Sequence, residues 1–196
     1  MSSAVPIPAG PVEIVYKGNI IAVIRQPMQI GDKIRTFEKA VRSPGSRSII
    51  ISLDEKILIT KEYRNEIKDW DYRLPGGKVC DTLDEYLTLA SSPEKILEAS
   101  RRGEVKEVLE EAGIEARNIS LFCAVGAGGN TVTWDLYYYI IDNFVQHPKQ
   151  QLGEGEDISV AWYGIPQVAE LCLSGKMKEE RSASVLLRYL HTISKI

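Results

Sequence analysis

Three glutamates, Glu107, Glu110 and Glu111, stand close together near the middle of the chain. Residues three and four apart lie on one face of a helix, so these carboxylates would project from the same side. Like charges at that spacing repel by about 0.2–0.5 kcal/mol per pair on an exposed helix. Solvation of an ordinary surface helix would relieve the repulsion, and so would a bound cation. Magnesium suits such a site because it prefers carboxylate oxygens together with waters and substrate phosphates.

The glutamates belong to a segment, 91–114, whose pattern predicts a single helix. Ser91 with Glu94 fits a capping box, and Pro93 suits the first turn. Gly113 is placed to end the helix as its C-terminal cap. An apolar stripe recurs at three- and four-residue steps, formed by Leu97, Val105, Val108, Leu109 and Ala112.

The order of residues from Lys106 to Ile114 resembles the second half of the Nudix box, Arg-Glu-apolar-x-Glu-Glu-x-Gly-apolar. Glu98 matches the first glutamate of the box, and we expect its role to be structural. Gly77 matches the opening glycine. The chain departs from the box in two ways, since twenty residues, 78–97, stand where the box has five, and Lys106 replaces an arginine.

The resemblance extends over residues 12–190 and is closest to the ADP-ribose pyrophosphatase branch of the Nudix hydrolases. It rests on strands that end in Tyr63-Arg64, the Leu74-Pro75-Gly76-Gly77 turn, the Glu154–Ile158 segment and the Leu173–Lys176 helix end. It implies hydrolysis of a nucleoside diphosphate sugar, such as ADP-ribose, to a nucleoside monophosphate and a sugar phosphate. The implied fold is an α/β/α sandwich with a mixed sheet, plus a small N-terminal antiparallel sheet that takes part in a homodimer.

The resemblance also implies roles for individual residues around a Mg²⁺ ion, with Mn²⁺ as an alternative. The implied metal ligands are the carboxylates of Glu107, Glu111 and Glu156 and the carbonyl of Gly76. Glu154 is the expected general base, and Glu110 is either a ligand or the base. Lys106 takes the place of the box arginine as a charge partner that orients a glutamate.

Four further positions are candidates for contacts with the substrate. Arg64 carries a fork of donors suited to phosphate oxygens, although a surface ion pair explains it equally. Gly77 lies in a turn whose backbone can approach a ligand closely. Arg35 and Phe37 could stack on a purine, whereas burial tendencies favour sheet packing for Phe37.

The remaining elements follow from local patterns. Predicted strands cover 12–16, 20–25, 33–41, 48–53, 56–61, 119–125, 134–142 and 158–163, with 48–53 and 56–61 expected to pair around Asp54-Glu55. Predicted helices cover 83–90, 166–174 and 179–194. The Pro44-Gly45 break divides the chain into an N-terminal β subdomain, 1–45, that we expect to dimerise, and a main hydrolase domain, 46–196.

Bulk composition excludes several classes of protein. Apolar residues make up 44% of the 196 residues and the net charge is −3, which is ordinary for a globular protein and argues against a nucleic-acid surface. Cys80, Cys123 and Cys172 are odd in number and widely spaced, as expected of reduced thiols. No stretch resembles a signal peptide or a membrane span, so we expect a cytoplasmic enzyme with a small-molecule substrate and no membrane partner.

Two alternatives to ADP-ribose hydrolysis remain open. Arg73 stands where the branch often carries an acidic residue, so a related substrate such as GDP-mannose or a dinucleoside polyphosphate also fits. A non-catalytic Nudix-fold module that senses a nucleotide is the third reading. The intact glutamates at 107, 110 and 111 argue against it, because a silent binder has no need of a repulsive cluster.

Overall fold

The computed structural model describes residues 5–129, 131–153, 155 and 157–196. Within these ranges the chain forms eleven strands and four helices. The strands are β1 Ile7–Pro8, β2 Glu13–Lys17, β3 Ile21–Ile30, β4 Lys33–Arg42, β5 Gly45–Ile50, β6 Ile57–Arg64, β7 Asp69–Arg73, β8 Ile114–Val125, β9 Val132–Thr133, β10 Leu136–Gln146 and β11 Ile158–Tyr163. The helices are α1 Leu83–Leu89, α2 Pro93–Ala112, α3 Ile165–Leu173 and α4 Glu180–Thr192.

The N-terminal sheet is built on the long hairpin of β3 and β4. Its turn places Gly31 at φ 63°, in the left-handed region that glycine tolerates, and pairs Ile30 with Lys33. β1 and β2 both pair antiparallel with β3. The short strand β9 pairs parallel with β4 and ties this sheet to the later part of the chain.

The remaining strands form two three-stranded sheets, β5-β10-β8 and β11-β6-β7. The first is mixed, because β10 runs parallel to β5 and antiparallel to β8. The predicted pairing of 48–53 with 56–61 is wrong as a strand pair, since β5 and β6 lie in different sheets. Near the turn, a bridge joins Ile51 to Ile57, and the Ser52 amide donates to the Lys56 carbonyl. Each apolar run finds its partners elsewhere along the chain, which local patterns do not reveal. Strand β7 was not predicted, because its residues are mostly polar.

Helices cover both faces of these sheets. Alternate residues point to opposite sides of a strand. On β5 and β10, Ile49 and Tyr138 pack in the core cluster that contains residues of α3 and α4, whereas Ile50 and Tyr139 pack with Val108 of α2. The predicted α/β/α sandwich with a mixed sheet and an N-terminal sheet is confirmed.

Helix α2 differs from its prediction in its first turn and in its buried face. Its N-cap is Ser92, whose hydroxyl accepts a hydrogen bond from the Lys95 amide, so the predicted capping box at Ser91 is wrong. Gly113 ends the helix at φ 65°, as predicted. Leu97 and Val105 are exposed at 38% and 37%, so they do not belong to the buried stripe. The buried positions are Ile96, Ala99, Ser100, Glu104, Val108 and Ala112.

The segment that interrupts the box resemblance contains α1, within the helix predicted at 83–90. Leu83 packs with Ala22 and Val41 of the N-terminal sheet. Tyr86 packs against the cluster that contains Ala99 of α2. The insertion therefore fastens the N-terminal sheet to the acidic helix. Within the described ranges, none of the helices is both long enough and apolar enough to span a membrane.

Candidate active site

A cleft of about 300 Å³ opens beside the C-terminal half of α2. One wall carries Glu107 and Glu111 of the helix. The Gly76-Gly77 turn and the ends of β6 and β7 form further walls, and Trp134 lies at the rim near β10. The cleft thus joins the acidic helix and the glycine turn, which are separated by some thirty residues of sequence.

The glycine turn lies directly against the two carboxylates. The Gly76 amide donates a hydrogen bond of 2.9 Å to Glu111 Oε2. Gly76 has φ 138°, and a Cβ on it would overlap the Ser46 carbonyl oxygen, so only glycine fits. A Cβ on Gly77 would overlap the Glu107 carboxylate. Two glycines in sequence therefore allow backbone and carboxylates to share one small space.

Lys106 and Glu110 form a separate pair at the edge of this site. Lys106 Nζ lies 3.7 Å from Glu110 Oε2 at i, i+4 spacing, with the two side chains 62% and 37% exposed. Neither residue lines the cleft. Such an exposed pair contributes about 0.3–0.5 kcal/mol to stability. The lysine thus contacts one glutamate of the box, and that glutamate lies beside the cleft.

Four other predicted residues lie outside this cleft or outside the described residues. Glu154 and Glu156 belong to the latter group. Arg35 and Phe37 lie on β4 in the N-terminal sheet, and neither lines the cleft. The structure therefore does not bring Arg35 and Phe37 together with the other predicted site residues.

The described ends of the acidic loop are held against the end of α2. The Gln151 amide donates to the Glu110 carbonyl at 2.8 Å. The Gln150 side chain donates to the carbonyl of Glu111 and, at 2.9 Å, to the carbonyl of Ile158. The start of the loop is therefore bonded to the last turn of α2, and Ile158, at its end, is bonded to Gln150 and lines the cleft.

Two arginines at the β6 and β7 side of the cleft form ion pairs with acidic side chains. Arg64 Nη1 donates to Glu62 Oε2 at 2.9 Å, and Arg64 Nε lies 3.6 Å from Glu66 Oε2. Arg73 Nε donates to the fully buried Asp71 at 2.5 Å. Arg64 lines the cleft and also forms the ion pairs of the alternative interpretation, so its contact with phosphate stays a prediction.

The cleft also contains three basic residues that the sequence analysis missed, Arg42, Arg47 and Lys78. Arg47 was hidden because it occupies a strand whose other residues are small or apolar. Arg42 and Lys78 stand beside Pro44-Gly45 and Gly76-Gly77, in segments read only as turns. Lys78 lies near the two arginines because it forms an antiparallel bridge with Gly45, which local sequence patterns do not reveal.

Glu104 is a fourth residue to which the sequence analysis gave no role, and it is completely buried beneath the glycine turn. A Cβ on Gly76 would lie 2.7 Å from its Oε2 atom. Burial raises the pKa of Glu104 to about 8, and the hydroxyls of Ser46 and Ser48 offset this only in part. Those hydroxyls lie near the carboxyl, yet neither Glu104 oxygen has a hydrogen bond with a described residue. The helical period could have signalled this residue, because it falls on the apolar face.

The cleft supplies oxygen ligands of the kind that Mg²⁺ prefers. Glu107 and Glu111 line it together with Gly76, whose amide is bonded to Glu111 and whose carbonyl is the further ligand that the resemblance implies. In the part of the chain that the structure describes, no three acidic, histidine or cysteine side chains are grouped to hold a metal alone. Magnesium commonly takes one or two carboxylates and completes its shell with waters and phosphates, so this donor set fits it.

Comparison with known proteins supports the fold. A scan against family models and a search of curated proteins each found no match. Among solved structures, the chain is similar to the crystal structure of an ADP compounds hydrolase, with a TM-score of 0.69 and 16% sequence identity. The match covers 100% of both chains. The chain therefore shares the α/β fold of that hydrolase.

Proposed function

We propose that the chain is a metal-dependent hydrolase that cleaves the pyrophosphate of ADP-ribose or a related nucleoside diphosphate sugar. The observation that carries the proposal is the contact of Glu107 and Glu111 with the Gly76-Gly77 turn inside a cleft rich in arginine. This arrangement combines oxygen ligands for a cation with donors for phosphate oxygens. The likeness to a solved ADP compounds hydrolase supports the same class of chemistry.

The reaction requires water to attack a phosphorus that is surrounded by negative oxygens. A bound Mg²⁺ supplies Lewis acidity, which polarises the phosphoryl group and lowers the pKa of bound water. We assign Glu107, Glu111 and the Gly76 carbonyl to hold it, with Glu156 as a further ligand. We assign Arg64, which lines the same cleft, to donate to phosphate oxygens. The Gly77 backbone approaches the phosphates from the turn.

A general base must take the proton of the attacking water. We assign this role to Glu154, with Glu110 as the alternative base or an additional ligand. The support for Glu154 is the anchoring of its loop, since Gln150 and Gln151 bind the last turn of α2. Lys106 holds Glu110 through their charge pair and so limits where that carboxylate points.

We further propose that the active form is a cytoplasmic homodimer, with residues 1–45 as the dimerising subdomain and 46–196 as the hydrolase domain. Apolar side chains of the N-terminal sheet are widely exposed, including Ile14, Tyr16 and Ile34 at 49%, 60% and 65%. A second copy would cover such a surface. In that dimer Arg35 and Phe37 would contact the base of a nucleotide bound in the partner's cleft.

The proposal is tested by incubating the protein with ADP-ribose and Mg²⁺ and separating the products. We expect AMP and ribose 5-phosphate, with no release of free phosphate. Glu111→Gln removes a charge that faces the cation and should lower the rate at least about a hundredfold, the scale of a major electrostatic contributor. A panel with GDP-mannose and a dinucleoside polyphosphate identifies the preferred base and sugar. Equal rates for the wild type and Glu111→Gln would refute the proposal.

A further inference from the structure

The basic residues of the cleft fall into two groups according to their partners. Arg64 and Arg73, on the β6 and β7 side, each form an ion pair with an acid. Arg42, Arg47 and Lys78 line the other side, around Pro44-Gly45. None of these three forms an ion pair with any residue in the described parts of the chain. Among the described residues, the positive charges at this end of the cleft therefore have no ion-pair partner.

Arg47 is the deepest member of this second group. Its side chain is 9% exposed, although it lines the cleft. Its Nη1 donates to the Ser46 carbonyl at 2.7 Å, while its Nε is buried without a hydrogen-bond partner. Glu104 acts on Arg47 electrostatically but forms no ion pair with it. An arginine has five N–H donors, and a buried charge without a partner is costly.

Arg42 is held among like charges. Its guanidinium carbon lies 4.4 Å from the centre of the Trp134 ring, and that of Arg181 lies 4.3 Å from the same ring. Arg181 is paired with Glu179 at 2.8 Å, whereas the buried Nε of Arg42 has no hydrogen-bond partner. Burial, together with the charges of Arg181 and Arg47, lowers the pKa of Arg42. An anion bound here would relieve the repulsion.

We propose that Arg42, Arg47 and Lys78 form a second anion subsite, which binds a phosphate monoester that the substrate carries in addition to its diphosphate. A phosphate monoester carries a charge of about −1.5 to −2 at pH 7 and three acceptor oxygens, which suits two arginine forks and a lysine. A carboxylate offers two oxygens and one charge, and so satisfies this group less well. The inference rests on the proposed function and narrows its substrate to phosphorylated nucleoside diphosphate derivatives.

The test uses substrates that differ only by one phosphate monoester. Suitable pairs are ADP-ribose with its 2′-phosphate, NADH with NADPH, and dephospho-coenzyme A with coenzyme A. In at least one pair we expect kcat/KM to be about tenfold or more higher for the phosphorylated member, the scale of one charge-assisted hydrogen bond. Arg42→Gln should bring that ratio close to one. Arg117→Gln, on an exposed arginine outside the cleft, should leave the ratio unchanged.

The subsite is overturned if no pair favours its phosphorylated member, or if Arg42→Gln lowers the rates of both members equally. Lys78→Gln, at an exposed position that should tolerate the change, provides a second variant if Arg42→Gln does not fold. Failure to hydrolyse any of these diphosphates would instead contradict the proposed function. In that case thermal stabilisation by inorganic phosphate tests the subsite alone. Stabilisation of the wild type and Arg117→Gln but not of Lys78→Gln supports it, and equal or absent stabilisation in all three refutes it.

Discussion

Replacement of the buried Glu104 by glutamine should change how stability depends on pH. The carboxyl has a pKa of about 8 in the folded protein and an ordinary value of 4.5, because burial disfavours its charged form. Between these values the folded state keeps a proton that the unfolded state has released. The free energy of unfolding therefore falls as pH rises through this window, by about 1.4 kcal/mol per pH unit. Above pH 8 the free energy of unfolding stops falling, after a total decrease of about 5 kcal/mol.

Glu104→Gln keeps the size of the side chain and removes this titration. The free energy of unfolding of the variant minus that of the wild type should grow by about 2–3 kcal/mol between pH 6 and pH 8. Urea denaturation at a series of pH values, without divalent cations, measures this difference. Glu98→Gln is the matched control, because it makes the same change on the same helix at an exposed position.

The reasoning would be refuted if the wild type and Glu104→Gln kept a constant difference in stability from pH 6 to pH 8. Such a result would mean that the carboxyl is already ionised in the folded protein at pH 6. It would also mean that the Ser46 and Ser48 hydroxyls and Arg47 stabilise the charge more than burial opposes it.

Three further changes test the local geometry. Gly76→Ala should destabilise the protein by at least about 2 kcal/mol in urea denaturation. The alanine would be strained at positive φ, and its Cβ would also overlap the Ser46 carbonyl oxygen. Gly129→Ala, also at positive φ but with open space around it, should cost less, and an equal cost would contradict the overlap. Ser92→Ala should lower the free energy of unfolding by about 1 kcal/mol and Ser91→Ala by much less, and the reverse order would place the cap at Ser91. Gln150→Ala should lower kcat for ADP-ribose about tenfold, since it frees the start of the acidic loop from α2, and an unchanged kcat would separate that loop from catalysis.

The features of α2 that sequence predicts well are local ones. Gly113 ends the helix because a left-handed residue there satisfies the last carbonyls, and this requirement is visible in the sequence. The close approach of Gly76 and Gly77 to the carboxylates is not local, since Gly76 and Glu111 are 35 residues apart, and it was expected only from the family resemblance. The location of Glu107 and Glu111 on one face of the helix follows from their spacing of four residues.

The features that sequence did not predict depend on distant partners. The apolar runs at 48–53 and 56–61 looked like a hairpin, but the first pairs with β10 and the second with β7 and β11. Arg47 and Glu104 both occupy buried positions where an apolar residue is the usual choice, so the apolar pattern of the sequence does not predict their burial. Their place in the cleft wall and beneath the turn emerges only when strand and helix are packed together.

The central claim is that Glu107 and Glu111 hold a cation that makes the pyrophosphate reactive. The most direct test is the rate of AMP release from ADP-ribose as Mg²⁺ is titrated, measured for the wild type, Glu107→Gln and Glu98→Gln. The wild type and Glu98→Gln should require Mg²⁺ and share one saturation curve, while Glu107→Gln should be slower by about a hundredfold at saturating Mg²⁺. A wild-type rate that is independent of Mg²⁺, or equal rates for all three proteins, would contradict the claim.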